Sequence, residues 1–65
     1  MEEYEKWKKL EAAVDRLNQR QEEISRKLEQ LRLEGKKNSY QFRELMGEKL
    51  NNSAVLSFLG RNGLL

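Results

Sequence analysis

Cysteine is absent from this chain, so it has neither a disulfide staple nor a thiolate nucleophile. Histidine is absent too, which removes the usual zinc, copper and nickel ligand and the general base of a nucleophilic triad. Proline is missing as well, so nothing forbids long uninterrupted helices. No apolar run approaches the ~18 residues of a membrane span. The first residues, Met1-Glu2-Glu3-Tyr4-Glu5, are acidic and polar, unlike a secretory leader. With no export signal and no cysteine, a cytoplasmic location is the expectation. The chain has 65 residues. Below roughly 70–80 residues one core rarely supplies more than a few kcal/mol of stability. Small proteins then rely on disulfides, metals or oligomerisation, and here only oligomerisation remains.

What is present is charge. Acids and bases make up 37% of the residues and apolar side chains another 37%, with only 8% aromatic. Interspersed charges with few aromatics suit a long solvated helix or a coiled coil. The net charge is +2 but unevenly placed. Residues 1–34 carry eight basic and nine acidic side chains, and residues 35–65 carry five and two. This basic bias in the second half is weaker and less clustered than a nucleic-acid surface requires.

The first half carries a heptad seam. Trp7, Leu10, Val14, Leu17, Ile24, Leu28 and Leu31 follow steps of three and four, with Gln21 filling the one gap. Placing a at 7, 14, 21 and 28, and d at 10, 17, 24 and 31, leaves seven of eight seam positions apolar. A strict seven-residue period implies a left-handed supercoil with at least one other helix. The stripe is narrower than that of an ordinary globular helix. These eight residues form the expected oligomer interface. Gln21 either fixes the register, being satisfied in one alignment only, or reaches out to the rim. Trp7 is large for a two-stranded interior and suits the end of a bundle. Flanking charges slightly favour an antiparallel homodimer or homotetramer: Lys6 would approach Glu34 of another copy, whereas a parallel pair sets Lys27 against Arg32. Such exposed pairs contribute only ~0–1 kcal/mol each.

Residues 35–38 interrupt the pattern and divide the chain into a coiled-coil helix over 1–34 and a helical segment over 39–65. Gly35 favours the left-handed conformation that ends helices, and Lys36-Lys37 suit the negative end of the helix dipole. Asn38 with Gln41 resembles a capping box, and Ser39 competes as the cap. A second helix is expected from Ser39 or Tyr40, with Phe42, Leu45, Met46 and Leu50 on one face but no strict heptad. Asn51-Asn52-Ser53 reads as further punctuation. Ser53 would then cap a short helix over Ala54–Leu59, closed by Gly60; the alternative is one bent helix from 39 to 59. The apolar end, Ala54–Leu59 with Leu64-Leu65, either folds back on the long helix or docks on another protein. Tyr40, Phe42, Met46, Val55, Phe58 and Leu64 are the candidate partner-binding residues.

Catalytic constellations are lacking. Glu2-Glu3 and Glu22-Glu23 are adjacent pairs, which diverge by about 100° on a helix and form no acid–base dyad. Gly60 and Gly63 lack the spacing and lysine of a phosphate-binding loop. No cofactor is implied. Residues 55–65, an apolar helix running into Gly63-Leu64-Leu65, loosely resemble the end of a winged-helix recognition helix, with residues 42–50 as the preceding helix. That resemblance implies a small DNA-binding regulator. The turn at Asn51-Asn52 is shorter than such modules use, and Arg61 is the only base on the presumed recognition face. The reading favoured overall is an all-α, helical-hairpin or coiled-coil oligomer, a four-helix-bundle-like dimer. It would act as a non-catalytic adaptor, scaffold or small inhibitor that self-associates and presents an apolar helical surface to a protein partner.

Overall fold

The computed structural model describes residues 2–64, so Leu65 of the apolar end lies outside it. Two helices make up the fold, α1 over Glu2–Leu33 and α2 over Tyr40–Arg61. The acidic first turn of α1, with Glu2, Glu3 and Glu5, complements the positive end of the helix dipole, and Arg32 sits at the opposite end. The helix ends where the sequence predicts. Gly35 takes a φ of 73°, the Lys36 N–H donates to the Leu31 carbonyl at 2.8 Å, and the Gly35 N–H donates to that of Arg32 at 3.1 Å. This is a Schellman motif with Gly35 in the left-handed position.

Ser39, rather than Asn38, caps α2. Its hydroxyl accepts from the Phe42 N–H at 3.2 Å and donates to the Lys36 carbonyl at 2.8 Å, tying the cap to the turn. The expected punctuation at Asn51-Asn52-Ser53 is absent: α2 runs as one helix through these residues and through Gly60. Asn52 is buried with its side chain bonded to Glu48 one turn earlier, and the Ser53 hydroxyl accepts from Gln21 of α1, so neither competes with the helix backbone. The helix is closed by Gly63, at φ 70°, with Leu64 N–H donating to the Leu59 carbonyl.

The two helices pack antiparallel as a hairpin. Ile24, Leu28 and Leu31 of α1 form the core with Phe42 and Leu45 of α2, and Met46 packs against them. Ile24 is the most completely buried, at 0% exposure. On α2 the buried and half-buried residues Phe42, Leu45, Lys49, Asn52, Leu56 and Leu59 step by three and four. Contrary to the sequence reading, α2 therefore carries a heptad of its own, disguised by Lys49 and Asn52 in its centre. Matching the two heptads sets Leu31 level with Phe42, Leu28 with Leu45, Gln21 with Asn52, Leu17 with Leu56 and Val14 with Leu59. At ~1.5 Å per residue α1 outruns α2 by some three turns. Its first turns, with Tyr4 and Trp7, extend past the end of α2, and the molecule measures 51 × 18 × 14 Å.

Candidate functional site: the uncovered apolar surface

The eight seam residues divide into two halves. Near the turn, Ile24, Leu28 and Leu31 are buried by the chain's own second helix. Toward the open end, Leu10, Val14 and Leu17 are only half-buried and Trp7 is 46% exposed. A two-helix layer shields the inner edge of a seam, while its flanks stay open to water.

Gln21 separates the halves. Its amide donates to the Lys49 carbonyl and to the Ser53 hydroxyl, both at 3.1 Å, while its Oε1 is buried without a partner. Alongside, Arg20 grips Glu48 with two hydrogen bonds, Nε to Oε2 at 2.6 Å and Nη2 to Oε1 at 3.0 Å. Such bidentate geometry is directional as well as attractive. Hydrogen bonding from Arg20 holds the Glu48 carboxyl below its ordinary pKa against partial desolvation, and the Arg20 guanidinium is pushed up in return. The middle of the hairpin is thus a polar belt joining α1 to α2 in one alignment.

The candidate partner-binding residues fall on different faces. Phe42 is buried in the core and Met46 is half-buried beside it, so these two serve the hairpin itself. Tyr40, Val55, Phe58 and Leu64 are exposed, Phe58 at 57%. Leu50, at 65%, joins them on the outer side of α2, not on one face with Phe42, Leu45 and Met46 as the sequence reading places it. The signal for it was available: between Lys49 and Arg61, α2 carries no charged residue at all. By contrast α1 places Glu5, Lys9, Arg16, Glu23 and Arg26 on its exposed side. Tyr40 donates its hydroxyl to Glu44 Oε1 at 2.6 Å, and this bond raises the Tyr40 pKa. Near the start of α1, Lys8 Nζ lies 5.5 Å from the centre of the Tyr4 ring.

Open grooves flank the hairpin, one along Arg20, Glu44, Gly47 and Glu48, another along Asn18, Gln21, Ser25 and Arg26. Among the described residues no group of three or more Asp, Glu, His or Cys side chains is placed to hold a metal ion. Among the described residues no helix is long and apolar enough to cross a membrane. The helix-turn-helix geometry implied by the winged-helix resemblance also lacks its turn, since residues 40–61 are one continuous helix.

The fold defines an all-α protein, an antiparallel helical hairpin with a polar belt and an uncovered apolar surface. No family model matches the chain, and no curated protein or solved structure matches it significantly.

Proposed function

We propose that this chain is a non-catalytic association module, a helical hairpin that self-associates and offers an apolar helical surface to a protein partner. One observation carries the reading. Trp7, Leu50, Val55, Phe58 and Leu64 stand in solvent, while five apolar side chains are buried among the described residues. So many large apolar groups left in solvent on so small a protein favour an interaction role. A hairpin with so small a core gains most from covering them. The half-covered seam at Trp7, Leu10, Val14 and Leu17 suits a further helix, which would extend the hairpin toward a four-helix bundle. The absence of histidine and cysteine and the separation of the paired carboxylates support a role without catalysis.

Sedimentation combined with circular dichroism over a range of chain concentrations tests this. Association-stabilised folding predicts that helicity and sedimentation coefficient fall together on dilution. Ile24→Lys, which buries a charge in the hairpin core, abolishes both at once. A compact monomer that melts cooperatively at every concentration would remove the proposal.

A further inference from the structure

The outer side of α2 carries a second stripe with the same spacing as its inner one. Glu44, Gly47, Asn51, Ala54, Phe58 and Arg61 step by three and four, and every one of them is exposed. Leu50 and Val55 flank this stripe and are exposed too. The inner stripe faces α1, whereas the outer one faces nothing in the chain. We propose that a second copy of this chain docks here, with two α2 helices pairing antiparallel, back to back, about a two-fold axis between Asn51 and Ala54. The inference rests on the association reading and specifies which surface brings copies together.

Charge selects both the occupant and its direction. Glu44 stands at one end of the stripe and Arg61 at the other, with only uncharged residues of the stripe between them. In the antiparallel pairing Glu44 of each copy meets Arg61 of the other, giving two equivalent ion pairs around an uncharged centre. A parallel pairing would instead set Glu44 against Glu44 and Arg61 against Arg61. The antiparallel register brings no like charges together: Arg43 falls nearest Ser57 of the second copy, and Glu48 nearest its Val55 and Asn62. The Tyr40 hydroxyl already holds the Glu44 carboxylate from one side, at 2.6 Å. Arg61 makes no ion pair among the described residues.

Shape agrees with charge. The same register sets Phe58 over Gly47 of the second copy, with Leu50 approaching its own symmetry mate on one flank and Val55 approaching its mate on the other. A Cβ built at Gly47 meets nothing within 4 Å, so the ring has open space to enter. The patch is self-complementary, as a two-fold interface must be, because each copy supplies one bulky ring and one gap.

Sedimentation equilibrium of the full chain and its variants tests this. Phe58 is exposed, so Phe58→Asp leaves the hairpin core intact while placing a charge in the proposed interface. It is expected to raise the dimer dissociation constant at least about thirtyfold, as loss of a central aromatic anchor does. Glu44→Arg and Arg61→Glu each weaken the dimer about tenfold by setting like charges together at both ends. The combined Glu44→Arg/Arg61→Glu variant restores it to within about threefold, because the pairs re-form with reversed sign. Direction is read by disulfide formation, as the chain has no cysteine of its own. Asn51→Cys mixed with Ala54→Cys is expected to link faster than either variant links to itself, and faster self-linking would overturn the antiparallel pairing. A wild-type dimer indifferent to Phe58→Asp and broken by Trp7→Asp would overturn this interface and leave the association reading standing. A wild-type chain that stays monomeric would remove both.

Discussion

Gln21 shows how much one side chain can decide in a two-helix protein. Its amide makes two hydrogen bonds across the hairpin, yet its Oε1 is buried with no partner. A buried acceptor left unpaired costs about 1–3 kcal/mol, more than a typical hydrogen bond returns. Gln21→Leu is therefore expected to raise stability by ~1 kcal/mol in urea unfolding, since Ser53 is exposed to water. It also deletes the feature that favours one register, so the variant is expected to show broader amide resonances. The anomaly at position 21 was legible because a glutamine stood in an apolar series. Its partners were not. One is a backbone carbonyl, which leaves no sequence signal, and the other is a serine that reads locally as a helix cap.

The Arg20–Glu48 pair lies 28 positions apart in sequence and became visible only once the register was known. Its consequence is a pH dependence with a definite sign. Glu48 is held below its ordinary pKa chiefly by the hydrogen bond from Arg20, and Glu34 likewise by Lys36 and Gln30. A carboxyl whose folded pKa is lowered stabilises the fold above its unfolded value and loses that contribution as pH falls through the folded one. Stability measured in urea should therefore decline as pH drops below the ordinary carboxylate value of 4.5. Glu48→Gln and Glu34→Gln should each flatten that decline, and an unchanged acid limb in both would contradict the assignment.

At the scale of elements, two glycines make opposite predictions from the same empty surroundings. A Cβ at Gly35 or at Gly47 would meet no atom within 4 Å. Only backbone conformation then distinguishes them. Gly35 sits at φ 73°, where an L side chain is strained, so Gly35→Ala should cost ~1 kcal/mol and loosen the turn. Gly47 lies inside α2, where alanine is the better helix former, so Gly47→Ala should stabilise the dilute chain by up to ~1 kcal/mol. Thermal melts followed by circular dichroism separate the two signs.

The boundaries of α1 and the break at Gly35 were legible from sequence because each rests on a local signal: an apolar period, a left-handed glycine, a capping residue. The continuity of α2 was left open between one bent helix and two. Asn51-Asn52-Ser53 reads as a terminator when its side chains are assumed to seek their own backbone. In the hairpin Asn52 is buried against α1 and Ser53 is bonded to it, so tertiary partners overrule the local preference. For the same reason the heptad of α2 stayed hidden. Lys49 and Asn52 occupy two of its central places, and they are intelligible only opposite the polar belt of α1.

At the scale of the whole molecule, the sequence reading buries the seam of α1 between chains, whereas its turn-proximal part packs against the chain's own second helix. Phe42 and Leu45 cover its turn-proximal half within one chain, leaving Trp7 to Leu17 to whatever packs beside them. That division makes substitutions at the two ends unequal. Leu28→Ala empties a buried position in the core and should cost ~2–4 kcal/mol, a large share of the stability of so small a chain, at low and high concentration alike. Leu10→Ala removes a half-buried side chain and should cost much less in a dilute monomer. If further helices cover the open end, that cost grows with chain concentration, because assembly then buries what the hairpin leaves exposed. Unfolding of wild type, Leu28→Ala and Leu10→Ala at a low and a hundredfold higher concentration reads this difference directly. A gap between wild type and Leu10→Ala that widens with concentration places the open end in an interface. A gap that stays constant confines assembly to the outer face of α2 or excludes it.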